Sequence, residues 1–199
     1  MMESSEWQKQ NTIRLVGRQR RLLNEWIRME QRCARRDDLE MRVLRQNSIG
    51  LPMTYLITYH YKCICGVTNV DRLNEEGVEN TPIFHSGYMM KIELSENYPS
   101  VDAPPRYQFL TIDDNGADIP HPWHPNIRYF GDYAGHVCLN FPDTYTDLAW
   151  GVDRVALYLR YDLYRAVQEP PYPEDLQVAE WVLKQGEPKG WIYFDQDEK

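Results

Sequence analysis

The sequence predicts an α+β domain: an N-terminal helix, a four-stranded antiparallel meander, a long loop, then C-terminal helices. Residues 5–34 contain no proline and a single glycine, Gly17, with apolar residues near helical spacing. Alternating apolar runs follow at short separations. From Asp147 to Val167, Leu148, Val152, Val155, Leu159 and Leu163 return at helical spacing. Strands grouped between helices, instead of alternating with them, are the mark of α+β architecture.

The first helix is expected to run from Ser5 to about Ala34, residues 1–17 making a helical extension. Ile13, Val16, Leu23, Trp26, Ile27 and Cys33 would form its core stripe, while Arg14, Arg18, Arg20, Arg21, Arg28 and Arg32 crowd the remainder. That basic face is either simply solvated or a docking surface. Leu39, Met41 and Val43 alternate with Glu40 and Arg42 as a half-buried strand, and Asn47-Ser48-Ile49-Gly50 reads as a turn. Thr54 to Cys65, rich in Tyr, Ile and Thr, is the second strand, with Tyr55, Ile57, Tyr59, Tyr61, Cys63 and Cys65 on one face. The third runs from about His85 to Leu94 and the fourth from Arg106 to Ile112, with a crossover stiffened by Pro99, Pro104 and Pro105 between them. A second helix covers Asp147 to Val167 and stops at Glu169-Pro170-Pro171-Tyr172-Pro173. Glu174 or Asp175 then caps a short helix to about Lys184. The tail, 186–199, carries Trp191, Tyr193 and Phe194 and is expected to pack back.

At 199 residues the chain is most economically one domain, 1–199, and 42% hydrophobic with 13% aromatic residues argues for a packed globule. No apolar run approaches the roughly 20 residues that span a bilayer, and no signal-peptide core follows the start, so no membrane association is expected. Cys33, Cys63, Cys65 and Cys138 lack disulfide-framework spacing, which suits a reducing, cytoplasmic setting. The net charge of −8 is uneven: residues 1–50 carry 11 Lys/Arg against 7 Asp/Glu, and the rest carry 11 against 23. An acidic body disfavours nucleic acid, and a basic N-terminal arm suggests an acidic protein partner.

The stretch from Pro120 to Trp150 gathers three of the five histidines and Cys138, the one strong nucleophile in it. Long connections between regular elements are where compact domains keep their chemistry. His121, His124, His136 and Cys138 are legitimate zinc ligands but lack paired spacing, so no metal is expected. His136 and Cys138 stand two apart, yet hydrolytic Cys–His pairs are made in space, so adjacency is no argument for one. A buried structural cysteine beside Val137 and Leu139 is the third reading.

An ordered set of short motifs tips the balance. Tyr98-Pro99, Pro104-Pro105, His124-Pro125-Asn126, Cys138-Leu139 and Trp150 are followed by an amphipathic helix and the turn Pro171-Tyr172-Pro173-Glu174-Asp175. This order resembles the ubiquitin-conjugating enzymes, and Arg20-Arg21-Leu22-Leu23-Asn24-Glu25-Trp26 is similar to their basic first-helix motif. The resemblance covers about residues 18–184. The steps of 12 from Asn126 to Cys138 and from Cys138 to Trp150 are longer than the family's. As a divergent chain it looks most like the bacterial relatives of anti-phage operons.

The resemblance implies the UBC fold and an acyltransferase without cofactor. Cys138 would accept a ubiquitin-like modifier as a thioester from an activating enzyme and pass it to a lysine of a protein substrate. Asn126 would stabilise the oxyanion or brace its loop, and Asp175 would orient or deprotonate the amine or cap a helix. Arg14, Arg18, Arg20 and Arg21 would dock the activating enzyme. The competing reading is an inactive adaptor of the same fold that binds modifier or ligase.

Overall fold

The computed structural model describes residues 3–11, 14–100, 102–139 and 147–194. In place of one N-terminal helix there are two, α1 (Ser4–Gln10) and α2 (Gly17–Cys33). The break comes from tertiary anchoring, which composition does not display. Trp7 is buried, and its indole Nε1 donates to the Ile49 carbonyl at 2.9 Å. The indole lies over Gly50, where a Cβ would sit 2.9 Å from Nε1. Asn11 then leaves the helix in extended conformation, its Nδ2 donating back to Trp7 O at 2.9 Å. Gly17, at φ +53°, turns the chain into α2. Val16 is consequently exposed instead of joining the core, and Ile13 lies outside the described residues.

Leu22, Trp26 and Met29, spaced along one face of α2, are fully buried. Glu25 on the same face is buried too. It takes Arg21 at 2.6 Å, the Tyr98 hydroxyl at 2.9 Å and the Leu148 amide at 2.9 Å. One carboxylate thus ties α2 to the Tyr98 turn and to the start of the next helix.

The sheet is the expected antiparallel meander, β1 (Leu39–Gln46), β2 (Pro52–Val67), β3 (Pro82–Glu93) and β4 (Arg106–Phe109), in that spatial order. Leu39 faces Tyr59, Tyr59 faces Tyr88, and Met90 faces Phe109. Tyr55, Ile57, Tyr59, Tyr61 and Cys63, on one face of β2, are all buried. Alternation of side chains along an extended strand puts them there together. The fourth strand ends at Phe109, not Ile112, which instead bridges Asp118 across a loop.

Helix α3 (Leu148–Leu159) is capped by Asp147, whose Oδ1 accepts from Trp150 N at 2.8 Å. It buries Leu148, Val152, Val155 and Leu159. Each such side chain contributes about 1.5–3 kcal/mol by transfer from water. The helix stops short of Val167 because Tyr161 adopts φ +58° and sends its hydroxyl to the Trp123 carbonyl. Helix α4 (Leu176–Trp181) continues into a wider turn, Val182–Gly186, and Ile192 of the tail packs back into the core.

Among the described residues two apolar clusters result. One lies between the sheet and helices α2 and α3; the other gathers Ile64, Val67, Trp123, Tyr161, Val178, Trp181 and Ile192. Residues 123–139 join them, with Trp123 in the second cluster and Ile127, Val137 and Leu139 in the first. The segment that carries the candidate chemistry is therefore anchored at both ends.

Candidate functional site

The Cys138 segment is built as an extra rung beside β4. Phe109 N donates to Gly135 O at 2.8 Å and Val137 N to Tyr107 O at 3.0 Å. On its other side, Arg128 N donates to His136 O at 2.8 Å and Cys138 N to Asn126 O at 2.9 Å. Gly135 makes this approach possible, since a Cβ there would collide with the Phe109 carbonyl. Along the rung Val137 is buried while His136 and Cys138 on either side are only partly covered. Period-two alternation therefore turns His136 and Cys138 to the same outer face. From α3, the Tyr158 hydroxyl donates to the Cys138 carbonyl at 3.1 Å, fixing the backbone from below.

Behind the rung lies a buried polar knot of His124, Asn126 and Asp175. His124 accepts from Asn126 N through Nδ1 at 3.1 Å and donates through Nε2 to the Leu163 carbonyl at 3.2 Å. A carbonyl only accepts, so the proton is on Nε2. The ring stacks on Tyr158 with centroids 4.8 Å apart, and burial pushes its pKa down to about 3. Its role is architectural. Asn126 Oδ1 accepts from Arg165 N at 2.9 Å, which pins the loop after α3 and fixes the amide's orientation. The Nδ2 end is the donor end and points away from that bond.

Asp175 is fixed more tightly still. Its Oδ1 takes Gln177 N and Val178 N at 3.1 and 3.2 Å, as the cap of α4. Its Oδ2 takes Tyr129 N and Phe130 N at 2.8 and 3.3 Å. The residue is 3% exposed, and its own N–H reaches Pro125 O at 3.0 Å. This is the geometry of a cap and a loop brace.

Neighbouring Glu174, which the sequence offers only as an alternative cap, faces outward instead. Its Oε1 accepts from His136 Nδ1 at 3.2 Å and Arg128 Nε at 3.3 Å. Burial pushes this carboxyl up, but the His136 hydrogen bond and charge, together with Arg128, outweigh it and hold it below the usual range. Arg106, Arg128, Tyr133, His136 and Glu174 line a cavity of about 350 Å³. The 38-residue separation of His136 and Glu174 leaves no local signal of their pairing.

The other cysteines are poor nucleophiles. Burial pushes the Cys33 thiol up to about 11 and raises Cys63 and Cys65 as well. Among the described residues, no three His, Cys, Asp or Glu side chains converge as metal ligands. No helix there is long and apolar enough to cross a membrane.

The four arginines separate into two kinds. Arg18 donates to Tyr98 O at 2.7 Å and approaches Glu96 at 3.6 Å, and Arg21 serves the buried Glu25. Arg14 and Arg20 are exposed and have no ion pair among the described residues.

No protein-family model and no curated protein matches the sequence. The fold, in contrast, has counterparts among solved structures. The H. polymorpha ubiquitin conjugating enzyme Pex4p, solved with the soluble domain of Pex22p, is 14% identical over 89% of this chain and 93% of its own, with a TM-score of 0.50. A Plasmodium yoelii protein described as a ubiquitin conjugating enzyme is 16% identical over 91% of each chain, with a TM-score of 0.46. Human ubiquitin-conjugating enzyme E2 G1 is 15% identical over 66% of this chain and 88% of its own, with a TM-score of 0.33. At these identities the likeness speaks for the fold: an α+β domain of the ubiquitin-conjugating type.

Proposed function

We propose that the protein is a conjugating acyltransferase that carries a ubiquitin-like modifier as a thioester on Cys138 and delivers it to an amine. The observation that carries this reading is the outer-face position of Cys138, on a rung whose backbone is bonded to Asn126, within this fold. Burial blunts the three other thiols and so leaves this position as the acceptor. Exchange of an acyl group between sulfurs needs a thiolate and little else.

Attack by an amine is more demanding, because charge builds on the carbonyl oxygen. Asn126 supports the step through its Nδ2 donor end while Oδ1 holds the Arg165 loop. Asp175 enters as a positioning residue, since its oxygens already accept four backbone N–H groups. Docking of an activating enzyme falls to Arg14 and Arg20, whose guanidiniums face solvent. The setting in anti-phage defence, with a ubiquitin-like modifier, an activating enzyme and a deconjugating peptidase as neighbours, rests on the sequence resemblance alone.

The test needs no natural partner. A short peptide bearing a C-terminal glycine thioester of a small thiol is incubated with the protein near neutral pH. The expected product is a one-to-one acyl adduct on Cys138, mapped by mass spectrometry, removed by dithiothreitol and lost in Cys138→Ser. An adduct that persists in Cys138→Ser, or no adduct on the wild type, overturns the reading in favour of another thiol or an adaptor.

A further inference from the structure

We infer that His136, oriented by Glu174, is the general base that takes the proton from the attacking amine. This rests on the thioester reading of Cys138 and goes beyond it by naming the group that completes the second half of the reaction.

The argument begins with backbone geometry. His136 and Cys138 are two residues apart on an extended rung hydrogen-bonded on both sides, with buried Val137 between them. Extended chain rises 3.2–3.4 Å per residue, so their Cα atoms stand roughly 6.5 Å apart on one face. An amine attacking an acyl group on Cys138 approaches its carbonyl carbon to about 3–3.5 Å. That spacing sets the His136 ring beside the acyl group the amine attacks.

The hydrogen bond to Glu174 then decides which imidazole nitrogen is available. An ionised carboxylate only accepts, so His136 Nδ1, 3.2 Å from Glu174 Oε1, carries the proton. In the neutral ring Nε2 therefore holds the lone pair and is the basic atom. Nucleophile carrier, base and orienting carboxylate come from Cys138, His136 and Glu174, contributed by two separate parts of the chain. The cavity lined by Arg106, Arg128, Tyr133, His136 and Glu174 surrounds the base with two guanidiniums and one carboxylate. Asp175, the other acidic candidate, is spent on backbone N–H groups.

The chemistry balances as follows. The ammonium gives its first proton to water by way of Nε2, which frees the nitrogen lone pair. Nitrogen bonds to the carbonyl carbon, and the carbon–sulfur bond breaks with its electron pair on sulfur. The second proton passes through Nε2 to that sulfur, leaving an amide and the Cys138 thiol. No oxidant or co-reactant is required.

The experiment uses the full chain charged on Cys138 with the glycine thioester peptide and freed of excess peptide. Discharge to free lysine and discharge to 2-mercaptoethanol are followed in parallel from pH 6 to pH 9. His136→Ala is expected to slow lysine discharge on the order of 100-fold, the usual scale for a general base, and thiol discharge far less. Added imidazole should restore part of the lysine rate in this variant, which a merely structural role would not allow. Glu174→Ala should lower the lysine rate by a smaller factor and change its pH profile. Equal slowing of both discharges, or no response to imidazole, overturns the role of His136 while leaving the Cys138 thioester standing. Failure of the wild type to charge overturns the thioester reading itself, so the two failures are distinct.

Discussion

Glu174 and Asp175 are neighbours in the chain and occupy opposite environments. Asp175 is 3% exposed, and four backbone N–H groups converge on its two oxygens. Glu174 stays at the edge of a cavity, with His136 and Arg128 as partners. The difference follows from backbone direction: Asp175 begins α4 and turns inward to cap it, which sends the preceding side chain outward. Residue type says little about which of two adjacent acids meets titratable side chains at a cavity and which holds the scaffold. What separates them is the kind of donor each one meets, fixed backbone amides or titratable side chains.

Stability measurements are the most direct way to break this contrast. Asp175→Ala removes a helix cap, at about 0.5–2 kcal/mol, and strips two further loop amides of their acceptor, at about 1–3 kcal/mol. A total loss of roughly 3 kcal/mol in urea unfolding is the expected outcome. Glu174→Gln should cost no more than about 1 kcal/mol, because its partners are partly solvated. Comparable losses for the two variants would abolish the division into scaffold and chemistry.

Arg20 and Arg21 sharpen the same lesson on α2. Arg20 is exposed, whereas Arg21 neutralises Glu25, a buried carboxylate that also holds the Tyr98 hydroxyl and the Leu148 amide. Reversing Arg21 to Glu would set a second negative charge against a buried one. With the Arg21 side chain 26% exposed, the expected loss is about 2–3 kcal/mol, discounted by solvent screening from the roughly 3–5 kcal/mol of a fully buried pair. Arg20→Glu should stay within about 0.5 kcal/mol of the wild type. A docking role is therefore tested cleanly by Arg20→Glu and Arg14→Glu, whereas Arg21→Glu confounds docking with folding. Matching denaturation midpoints for the two reversals would free Arg21 from its structural assignment.

The sheet was legible in sequence because alternation writes a strand's buried face directly into residue order, as Tyr55 to Cys63 show. The break between α1 and α2 was not, since it depends on Trp7 reaching Ile49 across 42 positions. Arg21 and Glu25 read locally as an ordinary surface pair at helical spacing; only the arrival of Tyr98 and Leu148 buries it. At the candidate site, ordered motifs singled out Cys138 and Asn126, and Asp175 came with both of its readings. The pairing of His136 with Glu174 had no local trace, because it is made by a cap that turns one acid in and the other out.

A smaller loss than those of Asp175→Ala and Arg21→Glu lies in the buried knot and concerns pH. Burial pushes His124 from 6.5 down to about 3, so the folded protein keeps the ring neutral where the unfolded chain takes up a proton. Its contribution to stability is whole above pH 6.5 and drains away as pH falls toward 3. Between pH 7 and pH 5.5 the loss should be ~1 kcal/mol, set mainly by the unfolded-state value. His121, also pushed down by burial, acts with the same sign. Asp38, held at about 2 by its hydrogen bond from Arg36, gives up its share only below pH 3.8, outside this window. His124→Asn isolates the ring, because an Asn oxygen can accept the amide two residues on, as Nδ1 does from Asn126 N, without titrating. Urea unfolding at the two pH values should show the wild type losing ~1 kcal/mol more than this variant. Identical losses would mean that the folded protein admits the proton, and that His124 belongs with the solvent-facing chemistry of His136 instead of the scaffold.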